Sequence, residues 1–321
     1  WFMRQAGRYH SHYQNLRKKH SFEELCKNPE LAAKVASGPM EDFDYDIAIL
    51  FSDILFPLEL LGLKLSYNPG PTFENYLSEK DSTLSINESI VEEKLDFQSE
   101  ALRLTRMALA DNKSLVGFVG GPWTILSYGM NIKNEKSFSL SNSNIFIEKL
   151  LYDVLFPVIR KNIQMQFDAG AEIVYVFDTN SVQLNNTYYL DIYMERMKSE
   201  LFLEFNNKLA YFSKNINFYQ QGIERLKSYN LAGVVYPENE GFSDFLQSEK
   251  SFFVQGNFSP KSILKEHSEY LIDFNKFIGK MKKLNLTDRK GWLCSLNHGV
   301  LPKTPEVNVR HFVTEIRSTF S

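Results

Sequence analysis

Residues 147–178 read IEKLLYDVLFPVIRKNIQMQFDAGAEIVYVFD, and this stretch contains the repeating unit of the fold. Its first part has apolar residues at helical spacing and ends at Gly170, the residue type that most often follows the last turn of a helix. The run EIVYVF (172–177) comes next, and its apolar residues are continuous, as in a parallel strand buried on both faces. Asp178 follows the run. The stretch therefore predicts a helix, a buried strand and a polar residue where the strand ends.

The same pattern recurs along the chain, without an internal sequence repeat or a long linker. The segment after residue 20 carries a capping-box signature for a helix start, Ser21 followed by Glu24. Eight apolar runs are candidate strands. They are WFM (1–3), IAILF (47–51), LVGFV (115–119), EIVYVF (172–177), NINFY (215–219), AGVVY (232–236), FFVQG (252–256) and WLCSL (292–296). Eight strand–helix units in 321 residues predict one (β/α)8 TIM barrel, with residues 1–321 as a single α/β domain. A doubly wound open sheet is the alternative.

The composition excludes several classes of protein. The net charge is −3, so no overall positive field attracts nucleic acid or an anionic membrane. No apolar run reaches the roughly 18 residues that would cross a bilayer. The two cysteines, Cys26 and Cys294, form no CxxC pair and no zinc-like spacing with histidine. We therefore expect no metal, no nucleic acid and no membrane partner, and a reducing, cytoplasmic location.

Polar residues follow most of the candidate strands, where a TIM barrel carries its chemistry. They are Arg4 and Arg8, Ser52 and Asp53, Asp178 and Thr179, Gln220, Asn257, and His298. The third run is followed by Gly-Gly-Pro-Trp (120–123), and Tyr128 lies one helical turn beyond Thr124. We expect these residues to meet at one rim, although polar loops also occur at the rim of a barrel that has no active site.

The side chains at this rim favour an anionic ligand. A guanidinium group binds carboxylate or phosphate through two hydrogen bonds, and Gly7 lets the backbone bend so that Arg4 and Arg8 face one ligand. Two ordinary surface arginines are the alternative. Asp53 is flanked by apolar residues, so its carboxylate is paired, functional or a cap of the next segment. His298 is either structural or directed at the rim. An anionic, partly apolar small molecule fits these residues best.

Six motifs resemble those of the uroporphyrinogen decarboxylase family, in the same order and at similar spacing. They are WFMRQAGRY (1–9), ILFSDIL (49–55), GFVGGPWT (117–124), GAEIVYVFD (170–178), VQGNFSP (254–260) and NHGVLPKTP (297–305). The resemblance spans nearly the whole chain and implies a TIM barrel that forms a homodimer. It also implies a cofactor-free enzyme of haem synthesis. Such an enzyme converts the four acetate side chains of uroporphyrinogen III to methyl groups, giving coproporphyrinogen III and carbon dioxide.

The resemblance implies catalytic roles near the start of the chain. Arg4, Gln5 and Arg8 of RQAGR would line the cleft and bind substrate, with the two arginines on its carboxylates. Asp53 would accept the pyrrole N–H groups at the centre of the macrocycle and stabilise the cation that forms when a pyrrole carbon is protonated. Arg4 would supply or relay that proton, although its high pKa makes an arginine an unusual acid.

Further substrate contacts follow from the other motifs. The resemblance places Tyr128 and His298 on substrate carboxylates and Phe118 against the macrocycle. The family usually has Phe-Asp-Ser-Trp where this chain has Phe-Asp-Thr-Asn at 177–180. Thr179 keeps the hydroxyl for a substrate hydrogen bond, whereas Asn180 is expected to change the wall of the pocket.

Two other functions are compatible with this resemblance. Corrinoid-dependent methyltransferases on the same barrel bind zinc through a His-x-Cys pair and a later Cys, but this chain has no His-x-Cys and has His298 near the place of the later Cys. A tetrapyrrole-binding protein without catalysis is the other possibility, because the stretch 181–251 departs from the family. Retention of Arg4, Arg8 and Asp53 argues against it.

Overall fold

The computed structural model describes residues 1–68, 70–138, 145–238 and 241–320. Within them, one parallel sheet contains seven strands, and two further strands form a short antiparallel hairpin. The strands are β1 (Ile47–Ile49), β2 (Leu65–Tyr67), β3 (Pro71–Phe73), β4 (Ser114–Gly120), β5 (Ile173–Phe177), β6 (Leu209–Phe212), β7 (Gly233–Val235), β8 (Phe253–Phe258) and β9 (Trp292–Leu296).

Helices separate the successive strands of the parallel sheet. They are α1 (Ser11–Arg17), α2 (Phe22–Lys27), α3 (Pro29–Phe43), α4 (Pro57–Leu60), α5 (Glu88–Ala108), α6 (Pro122–Gly129), α7 (Ile145–Lys149), α8 (Phe156–Asp168), α9 (Asn186–Tyr188), α10 (Met194–Met197), α11 (Ile216–Gln220), α12 (Ile223–Ser228), α13 (Phe242–Gln247), α14 (Pro260–Ile263), α15 (His267–Met281) and α16 (Glu306–Phe320). A π-helical stretch, Leu150–Leu155, joins α7 to α8, and a 3₁₀ turn, Thr179–Gln183, follows β5.

The predicted helix boundaries are confirmed at two places. Ser21 Oγ accepts a hydrogen bond from Glu24 N at 3.0 Å, and Glu24 Oε2 accepts one from Ser21 N at 3.4 Å, which is the predicted capping box. Gly170 follows α8 with a φ of +99°, the left-handed conformation that glycine supplies at a helix end. The segment after Ser21 is two helices, because the Asn28 side chain accepts from Leu31 N and starts a new helix at Pro29.

The predicted strands are confirmed for the second, third, fourth, sixth, seventh and eighth runs, and wrong for two. WFM (1–3) is not a strand. NINFY (215–219) lies in α11, because Asn215 Oδ1 accepts a hydrogen bond from Asn217 N at 3.1 Å and caps that helix. The strand in this part of the chain is β6, and Gln220 is therefore not a residue that follows a strand.

The strands of the parallel sheet lie in chain order, β1-β4-β5-β6-β7-β8-β9. This order lacks the reversal that a doubly wound sheet has at its switch point, so that alternative does not fit. Because all seven strands are parallel, their C-terminal ends lie at one edge of the sheet. The side chains that follow these strands are brought to that edge.

The first five residues connect the two outermost strands through hydrogen bonds that are not strand pairing. The Trp1 carbonyl oxygen accepts from Ser295 Oγ of β9 at 2.7 Å. Gln5 Nε2 donates to the carbonyl oxygen of Ile47 in β1 at 3.0 Å. The segment therefore contacts both outermost strands of the sheet.

The hydrophobic core is continuous from the start of the chain to its last helix. It contains Trp1, Leu115 of β4, Val174 of β5, Val234 of β7 and Phe312 of α16, all buried. The sheet is thus packed on both faces, as the continuous apolar runs predict. In the part of the chain that the structure describes, no helix combines the length and the apolar character that crossing a bilayer would need.

Candidate active site

Arg4 lies at the C-terminal edge of the sheet, and two glycines leave room for it. Its backbone φ is +61°, a left-handed conformation that is uncommon for a residue with a Cβ. A Cβ on Gly7 would lie 2.6 Å from the Arg4 carbonyl oxygen, and a Cβ on Gly299 would lie 2.5 Å from Arg4 Cδ. Glycine is therefore required at the first position by the turn, and at the second by the Arg4 side chain that crosses the loop after β9.

Asp53 follows β1 and forms a local turn in which its Oδ1 accepts from Leu55 N at 2.9 Å. Burial raises the pKa of this carboxyl, whereas the bond from Leu55, the Tyr67 hydroxyl and the charge of Arg4 act in the opposite direction. The Tyr67 hydroxyl is buried close to this carboxyl but lies outside hydrogen-bond geometry with every described residue. Asp53 is thus a half-buried carboxylate with acceptor capacity left for a ligand.

Tyr128 lies near the end of α6, close enough to Arg4 and Asp53 for their charges to act on its hydroxyl. Burial and the charge of Asp53 raise the pKa of the Tyr128 hydroxyl, and Arg4 lowers it. Burial lowers the pKa of Arg4 although its side chain reaches solvent, and Tyr128, Arg8 and Asp53 are the titratable neighbours that modify it. The structure therefore brings together four residues that the sequence analysis places in the site: Arg4, Arg8, Asp53 and Tyr128.

A cavity of about 480 Å³ opens beside Asp53 and Tyr67. Arg8, Arg17 and Lys18 line it and make it cationic. Sequence analysis identified Arg8 but missed Arg17 and Lys18, because nothing in the sequence separates them from ordinary exposed cations at the end of α1. The cavity can accept an anionic group next to the Asp53 carboxylate.

A row of aromatic rings crosses the C-terminal ends of three neighbouring strands. The ring centroids of Phe118 in β4 and Phe177 in β5 are 5.8 Å apart, and those of Phe177 and Phe212 in β6 are 6.4 Å apart. Phe212 meets the His298 ring edge to face at 5.4 Å. Phe118, the apolar contact expected from the sequence, therefore belongs to a longer apolar wall, which suits a flat apolar ligand. Phe177 and Phe212 were missed as site residues, although Phe177 directly precedes a polar strand end.

His298 lies just beyond β9 and is uncharged at neutral pH. Burial, Arg4 and Lys214 lower its pKa to about 4. Its Nδ1 accepts from Gly299 N at 2.7 Å, so the neutral ring carries its proton on Nε2. Nε2 is buried and has no hydrogen-bond partner among the described residues. The ring can therefore donate one hydrogen bond to a ligand.

Lys214 is a further cation at the C-terminal edge of the sheet, and sequence analysis missed it. It lies two residues beyond the end of β6, and the prediction placed the corresponding strand at 215–219. Its side chain is exposed, and burial of its surroundings and the charge of Arg4 lower its pKa.

Gln5 is placed differently from the expectation that it contacts substrate. It is fully buried, with Oε1 accepting from Phe2 N at 3.2 Å and Nε2 donating to the Ile47 carbonyl oxygen at 3.0 Å. Its amide thus holds the segment that carries Arg4. Thr179 is half-buried at the start of the 3₁₀ turn after β5, at the same edge as Arg4.

Asn180 does more than take the place of the tryptophan that the family usually has in the pocket wall. Its Nδ2 donates to Ser127 Oγ at 2.8 Å and to the Lys133 carbonyl oxygen at 3.3 Å. Lys133 Nζ in turn lies 4.7 Å from the centre of the Tyr128 ring. Asn180 therefore fixes the residues on either side of Tyr128.

Asp178 is fully buried and has partners for both of its oxygens. Oδ1 accepts from Thr124 Oγ1 at 2.8 Å, and Oδ2 accepts from the hydroxyls of Tyr193 at 2.7 Å and Tyr211 at 3.1 Å. Burial raises the pKa of this carboxyl, and these hydrogen bonds oppose the change. Asp178 ties α6 to β5 and β6 and is not open to a ligand.

The cleft carries more positive charge than the protein neutralises. Arg4, Arg8 and Lys214 form no salt bridge with any described residue. Across the described ranges, no three His, Cys, Asp or Glu residues group closely enough to hold a metal ion. Unneutralised cations around one carboxylate and an aromatic wall fit an organic polyanion.

Comparison with known proteins gives one family over the whole chain. A sequence profile described as "Uroporphyrinogen decarboxylase (URO-D)" matches residues 1–319. A uroporphyrinogen decarboxylase of Orientia tsutsugamushi (strain Ikeda) is 34% identical, over 100% of this chain and 94% of that protein. One of Helicobacter pylori (strain J99) is 32% identical, over 98% of this chain and 92% of that protein.

Among solved structures, a methyltransferase from Methanosarcina mazei aligns with a TM-score of 0.71 over 92% of this chain and 87% of that one. The two sequences are 16% identical, so this likeness shows the fold alone. The profile match and the full-length relatives are consistent with the motifs that surround Arg4 and Asp53. The chain belongs to the uroporphyrinogen decarboxylase family.

Proposed function

We propose that this protein is a carboxy-lyase that removes carbon dioxide from the four acetate side chains of uroporphyrinogen III and gives coproporphyrinogen III. The observation that carries the proposal is a set of unneutralised cations: Arg4 beside the half-buried carboxylate of Asp53, Arg8 in the cavity that Asp53 lines, and Lys214 near Arg4. Uroporphyrinogen has the matching chemistry, because carboxylates surround an apolar macrocycle whose centre presents N–H donors.

The reaction needs a place for the electron pair that the departing carbon dioxide leaves behind. A proton added to the pyrrole carbon next to the acetate arm makes the ring a cation. The bond between the acetate methylene and its carboxylate then breaks, and its electron pair forms an exocyclic double bond that neutralises the ring. A second proton adds to the methylene carbon, and the ring carbon loses the first proton. The net change is one proton taken up, one carbon dioxide released and one methyl group formed.

Asp53 serves the step at which positive charge develops. Its free acceptor capacity binds the pyrrole N–H groups, and its negative charge stabilises the ring cation at a site whose geometry is fixed beforehand by the bond from Leu55. Arg4 lies beside it and relays the proton to the pyrrole carbon. No metal or organic cofactor takes part in these steps.

The remaining residues bind the substrate. Arg4 and Arg8 bind carboxylates, Tyr128 and the Nε2–H of His298 donate to further carboxylates, and the Thr179 hydroxyl bonds to the substrate at the end of β5. Phe118 packs against the macrocycle, with the aromatic row behind it. Gln5 contributes by holding the segment that carries Arg4.

The same proposal covers the architecture of the whole chain. The sheet curls into a closed barrel in which residues 1–5 take the place of an eighth strand, and residues 1–321 act as one domain. Bonds from this segment to both β9 and β1 support that closure. The protein acts as a homodimer in the cytoplasm, and its two cysteines, Cys26 and Cys294, are free.

Anaerobic incubation with uroporphyrinogen III tests the function. Products are oxidised and separated by carboxylate number, without added metal or cofactor. Stepwise conversion from eight carboxylates to four is expected. Tight binding without loss of carboxylates would instead indicate a tetrapyrrole-binding protein without catalysis, and absence of both would refute the proposal.

A further inference from the structure

Lys214 is exposed between two buried neighbours. Ser213 is fully buried and Asn215 is 3% exposed, whereas the side chain of Lys214 between them reaches solvent. Phe212, two residues earlier, packs against His298 on the cleft side of β6. Lys214 is therefore only two residues from the Phe212–His298 contact, just beyond the C-terminal end of β6.

The backbone on either side of Lys214 is held by hydrogen bonds. Ser213 Oγ accepts from Asn215 N at 3.0 Å and also contacts Ser181 Oγ at 2.8 Å. The Tyr219 hydroxyl lies 3.1 Å from the Ser213 carbonyl oxygen and 2.7 Å from that of Val235. The position of the lysine is therefore fixed by β6, by the cap of α11 and by the end of β7.

The titratable neighbours of Lys214 are Arg4 and His298, and no described carboxylate forms a salt bridge with it. Arg4 is close enough to lower the pKa of the Lys214 ammonium, and both cations lower the pKa of His298. Within the described ranges Lys214 has no salt-bridge partner, and the same holds for Arg4. Three groups that repel one another when charged are thus gathered at one place, which is unfavourable unless an anion binds among them.

We propose that Lys214 is a substrate-binding residue that completes a carboxylate subsite with Arg4 and His298. This inference rests on the proposed function, because it takes the anion to be a side-chain carboxylate of uroporphyrinogen. The Lys214 ammonium and the Arg4 guanidinium supply the charge, and His298 Nε2–H donates the neutral hydrogen bond. A carboxylate at this position lies next to the aromatic row that ends at Phe212.

The test compares three variants of the full-length protein. Lys214→Met removes the charge and keeps the length of the side chain, and Lys214→Arg keeps the charge. Lys208→Met is the matched control, because Lys208 directly precedes β6 at its other end and its Nζ lies 5.5 Å from the centre of the Phe167 ring, away from the cleft. Binding of uroporphyrin III, the oxidised substrate, is measured by fluorescence at two ionic strengths. Turnover of uroporphyrinogen III is measured beside it.

Lys214→Met is expected to weaken uroporphyrin binding by about 10-fold, the size of a lost charge-assisted hydrogen bond, and to raise KM more than it lowers kcat. Lys214→Arg recovers most of the affinity, and Lys208→Met binds like the unmodified protein. The salt dependence of binding is smaller in Lys214→Met, since one cation is missing.

A second readout reports the subsite without any substrate. The NMR titration of His298, assigned through a His298→Asn variant, moves to higher pH in Lys214→Met, because one of the two cations that lower its pKa is gone. Unchanged affinity and an unchanged His298 titration would overturn the subsite. Absence of turnover in the unmodified protein, with uroporphyrin binding that still depends on Lys214, would instead refute the decarboxylase function and keep the subsite.

Discussion

At the scale of single residues, we propose that Asp53 serves function at the expense of stability. Burial raises the pKa of its carboxyl, which means that the folded protein binds the proton more tightly than the unfolded chain does. The charged form of the group therefore opposes folding. The opposition disappears at low pH, where the group is protonated in both states. A stabilising residue at this position would therefore be neutral, and the carboxylate fits a catalytic role.

Asp53→Asn is expected to lower kcat/KM by about 100-fold or more, since the charge that stabilises the ring cation is lost. The same change should increase the free energy of unfolding at pH 7 by about 1 kcal/mol, because Asn still accepts the bond from Leu55 N and carries no charge. Turnover assays and urea unfolding measure the two effects. The gain in stability should shrink as the pH falls; near-normal turnover would remove Asp53 from the mechanism.

His298 makes stability depend on pH in the acid range. Its pKa falls from 6.5 to about 4 on folding, so the unfolded chain binds more protons between these values. The contribution of the neutral ring is complete above about pH 6.5 and is lost as the pH falls toward 4. Urea midpoints of the unmodified protein should therefore decline more steeply over this range than those of His298→Asn. Parallel pH profiles would show that His298 is not held neutral.

At the scale of elements, sequence patterns identify strands better than they separate a short strand from the helix that follows it. Residues 209–212 (LAYF) form β6, yet a second run with apolar residues, 215–219 (NINFY), follows three residues later. Only the cap that Asn215 makes shows that the second run is helical. This error removed Lys214 from the predicted site, whereas Arg4 and Asp53 were identified by motifs that do not depend on strand boundaries.

The 3₁₀ turn after β5 supports the active site through Asn180. Asn180→Ala removes the bonds to Ser127 and Lys133 and should lower stability by about 1 kcal/mol. It should also reduce kcat/KM several-fold, because the residues on either side of Tyr128 are released. Thermal unfolding and steady-state kinetics measure these effects. Asn186→Ala is the control, since its Oδ1 also loses a side-chain hydrogen bond, but to Asn217 of α11 rather than to a residue of α6; equal kinetic losses in both variants would contradict this role.

At the scale of the whole molecule, contacts with residues far along the sequence fix the position of the first motif, WFMRQAGRY (1–9). Sequence reasoning placed Gln5 beside its motif partners Arg4 and Arg8, but its buried bond to Ile47 spans 42 positions and no local pattern reveals it. The same holds for Gly299, whose missing Cβ makes room for Arg4. The six motifs thus identified the family and nominated candidate site residues, whereas the packed structure was needed to show that Gln5 supports the segment that carries Arg4.

Gln5→Ala tests whether the contacts of residues 1–5 with β9 and β1 hold the candidate site residues in place. The change leaves the Phe2 N–H and the Ile47 carbonyl without their buried partner, so stability should fall by about 1–3 kcal/mol. The kcat/KM should fall as well, because the segment that carries Arg4 is loosened. Gln164→Ala, which removes an exposed bond to Asp168, should change neither quantity appreciably. Full activity in a destabilised Gln5→Ala protein would show that these contacts stabilise the fold but do not affect catalysis.

The most direct test of the central claim is the number and origin of the carbon dioxide molecules released from uroporphyrinogen III. The substrate is labelled with ¹³C in its acetate carboxyl groups and incubated anaerobically with the protein and a metal chelator. The account predicts four labelled carbon dioxide molecules for each macrocycle and four methyl groups in the product. Release of unlabelled carbon dioxide from the propionates, or binding of the macrocycle with no release at all, would contradict it.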